Sequence, residues 1–302
     1  MELTAYSYDT TMKAIEHLLM YYPFMEKTVI GSSVMGKEIP ALRLGVGEIQ
    51  VCYSAAFHAN EWITVPVLLQ FAEDYARAVA EGELFNGVDA RALYQQVTLY
   101  LIPLVNPDGV DLVTGALTEG DYYEQARRIA ADYPQIPFPD GWKANIEGTD
   151  LNLQFPADWE LAKQIKYEQG YRTPAPRDYV GPAPLTAPES RAIYEFTTSH
   201  DFSLILAYHT QGEVIYWKYK DLEPPRSREI ADHFGEVSDY AVEQTPYASG
   251  NAGYKDWFIL QYDRPGYTIE AGYGENPLPI EDLPEIYRRN IGILTGGMTE
   301  IL

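Results

Sequence analysis

His58 and Glu61 stand three positions apart in the run "HANEWIT", residues 58–64. An imidazole nitrogen and a carboxylate oxygen are both ligands that zinc accepts. The apolar run "IQVCYSAAF" precedes them and "VPVLLQFAEDYARAVAEG" follows. The pair therefore falls where an extended segment gives way to a helix. Alone it is a weak signal. It lacks the His-Glu-x-x-His spacing, and Trp62 excludes the His-x-x-Glu-His form. A third ligand must come from a distant segment, and spacing does not say which. Two further groups occupy similar junctions: His209 ends the apolar run "FSLILAYH", and Glu270 ends "GYTIE". In open α/β sheets, ligands bind beyond the carboxyl ends of strands. His58, Glu61 and His209 would supply two imidazoles and a carboxylate, leaving a position for water. Such a centre acidifies its water and polarises a carbonyl. Glu270 would then act as general base. Taken singly, each residue also has a structural reading: His209 as a hydrogen-bonded core histidine, Glu270 as an ion-paired carboxylate.

The elements that must position these groups are legible in outline. Residues 9–22 predict a helix, with Met12, Ile15, Leu19 and Tyr22 at helical spacing, Asp9 or Thr10 as cap and Pro23 as stop. Residues 28–47 predict a hairpin. "IQVCYSAAF" reads as a buried strand. The next helix starts near Thr64, because Pro66 fits only a first turn, and Val67, Phe71, Tyr75 and Val79 mark its buried face before Gly82. "VTLYLIPLV" is a strand ending in the turn signal "NPDG". A short helix is expected around 121–132 and a long ordered loop over 156–185. "TAPE", 186–189, is a capping-box pattern opening a helix to about His200. "FSLILAYHT", "GEVIYW" and "GYTIEAG" read as strands, and 225–243 and 281–302 as mostly helical. Near-continuous apolar strands alternating with helices predict an α/β/α sandwich. No repeat or break in composition divides the 302 residues, so one domain over 1–302 is expected.

Composition narrows the partners. The formal net charge is −22, with 44 acidic against 22 basic residues, which argues against nucleic acid and anionic membrane surfaces. Cys52 is the only cysteine, so neither an internal disulfide nor a Cys-rich metal site can form, and an inert core thiol is expected. No stretch is long and apolar enough to span a membrane. "MELTAYSYDTTMKA" lacks the basic start and apolar run of a leader, which points to the cytoplasm; a secreted or wall-associated protein stays open if the sequence is trimmed.

"HANEWIT", "NPDG", "GTDLN", "LILAYHTQG", "ASGNAGYKDW" and "YTIEAG" occur in the order found in the zinc carboxypeptidase family, which this chain resembles from about residue 10 to 300. The resemblance implies an α/β/α fold around a mixed, twisted sheet and one zinc ion held by His58, Glu61 and His209, with Glu270 as base. It also implies that Asp150 orients a ligand histidine, that Asn152 contacts substrate, and that Tyr247 lies near the family's mobile tyrosine, although the spacing to "SGNAG" differs by one.

The chain departs from the family where exopeptidases grip a terminal carboxylate with arginines. Asn60 and Leu153 stand at two such positions, and Lys143 in "WKAN" is the nearest match to the oxyanion-stabilising arginine. A leucine there would leave a terminal carboxylate unpaired, at a cost. "WKANIEGTDLNLQFPADW", "AGYKDWF" and "EAGYGENPLP" resemble the bacterial γ-D-glutamyl-L-diamino acid peptidases. That branch implies hydrolysis of the bond between γ-D-glutamate and diaminopimelate or lysine in peptidoglycan stem peptides, with an acidic cleft rim to meet the diamino acid's ammonium. Free wall fragments would be the expected substrates. An ordinary carboxypeptidase is the alternative, in which Arg172 or Arg177 would rebuild the clamp. A non-catalytic binding domain and a zinc deacylase of small amides are further readings.

Overall fold

A computed structural model describes residues 5–302. Its main sheet is built from β1 (Glu26–Ser32), β2 (Glu38–Leu44), β3 (Ile49–Ala55), β6 (Val97–Ile102), β7 (Phe202–His209), β8 (Val214–Tyr216), β9 (Ala241–Glu243) and β10 (Gly266–Glu270). The short strands β4 (Leu84–Phe85) and β5 (Val88–Asp89) pair as a separate hairpin. The main sheet runs in the order β1-β2-β6-β3-β7-β10-β8-β9. Its centre is parallel, β6-β3-β7-β10, and antiparallel pairings join β1 to β2, β2 to β6 and β8 to β10.

Alternation along the central strands divides the core. Val51, Tyr53 and Ala55 of β3 and Leu204, Leu206 and Tyr208 of β7 face one apolar layer. Cys52, Phe202, Ile205 and Ala207 face the other. On the first side lie α1 (Tyr8–Tyr21), α2 (Thr64–Glu81), α8 (Ser227–Ser238) and α10 (Leu283–Thr299), with α10 packed on α8 and α2. On the second lie α7 (Pro188–Thr198) and α9 (Tyr254–Tyr262). Helices on both faces explain why the central strands are apolar throughout rather than alternating. The expected buried face of α2 is correct: Val67, Phe71, Tyr75 and Val79 are all buried, and Gly82 ends the helix at φ +75°. Emptying one such position, as in Phe71→Ala, costs about 3–5 kcal/mol. The remaining helices are α3 (Ala90–Gln96), α4 (Pro107–Val113), α5 (Asp121–Ala131) and α6 (Trp159–Glu168). Among the described residues, no helix is long and apolar enough to cross a membrane.

Several local expectations need correction. Ser7, not Asp9 or Thr10, caps α1, its Oγ accepting from the Thr10 amide at 3.3 Å. "NPDG" opens a helix: Asn106 caps α4 and Pro107 occupies the first turn, where its missing N–H is harmless. The 156–185 segment is not all loop, since its proline-poor part, "WELAKQIKYE", forms α6. "TAPE" forms no capping box. Thr186 hydrogen-bonds Gln154 and Ala183 instead, Ala187 is the cap, and Glu189 turns into the interior. Residues 225–243 are helical only to Ser238, and Ala241–Glu243 then adds β9 to the sheet edge.

Candidate active site

Adjacent strands bring the distant groups together. Ala55 of β3 pairs with Tyr208 of β7, and His209 pairs with Glu270 of β10, so three parallel strands end side by side. After β3 the chain makes a single turn of 3-10 helix, Ala59–Glu61, which brings Glu61 round to the side of His58. Thr64 fastens this turn: its hydroxyl donates to the Glu61 carbonyl at 2.7 Å and accepts from the Ala56 amide at 3.1 Å. Asn106 fastens the next layer. Fully buried, it donates to the carbonyls of Phe57 at 3.1 Å and Ala144 at 3.0 Å, and the Ala59 amide donates to the Lys143 carbonyl at 3.0 Å. Gly109 is required beside it, because a Cβ there would come within 2.7 Å of both the Ala144 carbonyl oxygen and the Asn106 side chain.

The result is one tight cluster. His58 Nδ1 lies 2.9 Å from Glu61 Oε1, His209 Nδ1 lies 2.9 Å from Glu61 Oε2, and the two Nδ1 atoms are 3.2 Å apart. One ligand atom from each of the three residues lies within 4.8 Å of the others. His58 directs its second nitrogen, Nε2, to Asp150 Oδ1 at 3.2 Å, and Asp150 Oδ2 accepts from the Asp178 amide at 3.0 Å. Occupying Nε2 in this way leaves Nδ1 as the ligand edge. His209 is stacked on Phe57, with centroids 5.9 Å apart. Burial disfavours charge on both His58 and Glu61, yet mutual attraction prevails. His58 is pushed up to about 9 by Glu61 and Asp150, and Glu61 is held well below the usual carboxylate range by His58 and Lys143. Two imidazoles and a carboxylate turned inward on a common point are a donor set that zinc fits.

Around the cluster lies a cleft. Its inner compartment is lined by His58, Asp150, Asn152, Leu153, His209 and Glu270, together with residues not expected there: Lys166, Asp178, Tyr216, Thr245, Lys255 and Asp256. An outer compartment, lined by Asn60, Thr210 and Gln211 among others, shares Lys143, Arg177, Tyr216 and Glu270 with the inner one. Burial raises the Glu270 carboxyl, and Glu61 nearby adds to the effect against the opposing pull of His209. Lys143 donates to Glu61 Oε1 at 2.7 Å. Asn152 Oδ1 accepts from the Tyr254 amide at 3.0 Å, which fixes α9 against the cleft wall. Asn60, 4% exposed, donates to the Asp140 carbonyl at 3.1 Å.

Tyr247 is not brought into the inner compartment. It is 72% exposed and lines a neighbouring depression with Lys218 and Gln244. Arg172 does not line the cleft, whereas Arg177 lines both compartments. Nor is the lining the acidic rim expected from sequence: Lys143, Lys166, Arg177 and Lys255 are interleaved with Asp150, Asp178, Asp256 and Glu270. Lys166 and Lys255 escaped notice because a lysine in a helical segment reads as a solvated one. Only the adjacency of Lys255 and Asp256 in "GYKDW" could have hinted at a buried pair. Cys52 is a fully buried core thiol, its ionisation pushed up by desolvation.

The fold and the sequence resemble those of known proteins. Bovine thrombin-activatable fibrinolysis inhibitor superposes with a TM-score of 0.72 at 18% identity, covering 99% of this chain and 98% of that one. The carboxypeptidase A of Helicoverpa armigera gives 0.73 at 19%, covering 99% and 74%. In sequence, the chain is 45% identical over 293 residues to gamma-D-glutamyl-L-diamino acid endopeptidase 1 of Lysinibacillus sphaericus, 97% of this chain and 72% of that protein. It is 23% identical to bovine carboxypeptidase B over 82% of this chain and 57% of that protein. The zinc carboxypeptidase profile matches residues 11–291. The chain belongs to the zinc carboxypeptidase family, as a metallopeptidase with zinc as its cofactor, and the His58–Glu61–His209 cluster is a site that could hold that ion.

Proposed function

We propose that this metallopeptidase hydrolyses the amide bond between γ-D-glutamate and an L-diamino acid, diaminopimelate or lysine, in peptidoglycan stem peptides. The observation that carries this reading is 45% identity over 97% of the chain to an endopeptidase named for that bond. The cleft supports it. Leu153 lines the inner compartment and Asn60 the outer one, where an exopeptidase would need guanidinium groups for a terminal carboxylate.

His58, Glu61 and His209 would hold zinc, which would supply Lewis acidity toward a water and the scissile carbonyl. As water adds to the carbonyl carbon, Glu270 would take a proton from it on its carboxylate and deliver that proton to the amine nitrogen as the C–N bond breaks. Its burial raises its basicity toward that task. Asp150 keeps His58 in the tautomer and ring pose that present Nδ1. Lys143 provides positive charge for the carbonyl oxygen as a compact point charge rather than a fork. Asn60, Asn152 and Leu153 shape the walls against which the substrate lies.

Arg177 favours a second reading, an ordinary carboxypeptidase with a rebuilt clamp, because its side chain lines the cleft. Parallel digestion of L-Ala-γ-D-Glu-meso-diaminopimelate and hippuryl dipeptides by the zinc-loaded protein separates the two. Cleavage of the tripeptide alone is expected, and cleavage of the dipeptides alone would overturn the proposal in favour of the second reading.

A further inference from the structure

A γ-glutamyl bond differs from an ordinary peptide bond in one feature close to the reacting carbonyl. The glutamyl residue is joined through its side chain, so its own α-carboxylate stays free and ionised a short carbon chain away. A site that reads this linkage needs a cation beside the reacting centre with hydrogen-bond donors to spare. Four basic residues line the inner compartment: Lys143, Lys166, Arg177 and Lys255.

Three of them are engaged. Lys143 donates to Glu61 at 2.7 Å. Lys166, with a side chain 7% exposed, lies 2.5 Å from Asp178 Oδ1. Lys255, 4% exposed, donates to the Lys218 carbonyl at 2.7 Å and the Thr245 hydroxyl at 3.1 Å, with Asp256 Oδ1 also 2.7 Å away. Arg177 is different. Its Nε donates to Asp178 Oδ2 at 2.6 Å, which fixes the plane of the guanidinium, and its terminal nitrogens have no hydrogen-bond partner among the described residues. The group borders both compartments, whose linings also share Lys143, Tyr216 and Glu270. Charge points the same way: Asp178 is shared by Lys166 and Arg177, so this trio carries one surplus positive charge at the cleft wall. A guanidinium with an open edge matches a carboxylate in geometry as well as sign.

We infer that Arg177 is a specificity-determining residue that pairs with the free α-carboxylate of the γ-linked glutamyl residue. This rests on the proposed γ-glutamyl specificity and assigns the side chain that reads it.

The test compares L-Ala-γ-D-Glu-diaminopimelate with the same peptide bearing an α-carboxamide on the glutamyl residue, using zinc-loaded wild type, Arg177→Gln and Arg177→Lys. Zinc content and thermal unfolding verify that the variants are folded and loaded. Wild type is expected to prefer the carboxylate in kcat/KM by about 10- to 100-fold, the size of one charge-assisted pair. Arg177→Gln should lose most of that preference, chiefly through KM, and Arg177→Lys should retain part of it. Equal cleavage of both peptides by wild type, or an equal fall on both in Arg177→Gln, overturns this assignment while leaving the γ-glutamyl reading intact. If wild type cleaves neither peptide, both fall together.

Discussion

Asp150 occupies one nitrogen of His58 and leaves Nδ1 for a metal, and burial raises the Glu270 carboxyl, as its proposed role as base requires. These two statements lead to separable outcomes. Glu270→Gln keeps the shape of the side chain and removes its basicity. Hydrolysis should fall by about 10²- to 10⁴-fold, the usual weight of a general base, while atomic absorption still finds one zinc per chain. Unchanged turnover would remove Glu270 from the mechanism. His209→Ala instead deletes a donor whose Nδ1 lies 2.9 Å from Glu61, so zinc should be lost on dialysis and activity with it. At this scale the sequence was informative because ligand types are few and chemically distinctive. His58, Glu61, His209, Asp150, Asn152 and Glu270 all meet in one cleft. Arg177 and Lys255 were harder to place, since an arginine or lysine announces neither burial nor direction.

At the scale of elements, long apolar strands and the face of α2 were readable from periodicity, whereas short polar junctions were not. "TAPE" has the letters of a capping box, but Gln154 draws Thr186 away and the interior takes Glu189. Glu189 accepts from the Val34 amide and from Asn145 Nδ2, both at 3.2 Å, and so ties α7 to the turn after β1 and to the segment carrying Lys143. Desolvation raises its pKa to about 7 against 4.5 for the free group, over the opposition of those hydrogen bonds. Below the unfolded value both states are protonated and nothing is lost. As pH rises through the window between 4.5 and about 7, the unfolded chain releases this proton first, so the Glu189 contribution to stability declines. The full difference, about 3 kcal/mol, should be reached above the folded value. Denaturant unfolding at pH 4.5 and pH 8 should show this fall in wild type and a smaller one in Glu189→Gln; equal pH dependence in the two proteins would contradict it.

Across the whole molecule, the decisive feature is the order of the sheet. The strands β3, β7 and β10 are far apart in sequence but adjacent in space, and all three point the same way. No local pattern encodes that order, which is why spacing alone could not identify the third ligand, and strand-end position and family resemblance were needed to point to His209. The charge of −22 describes the surface and not the cleft, where cations and anions alternate. Tyr247 shows the same limit, since a loop tyrosine near a motif need not face the site. The central claim is that this cleft serves a γ-glutamyl linkage rather than peptide bonds in general. The most direct measurement is kcat/KM of the zinc-loaded protein on L-Ala-γ-D-Glu-diaminopimelate beside its α-linked isomer, with products identified by mass. The account predicts cleavage of the γ-linked peptide at the glutamyl–diamino acid bond and a preference for it of at least about 10-fold, the scale of one charge-assisted pair. Equal cleavage of the two isomers, or preference for the α-linked one, would contradict it.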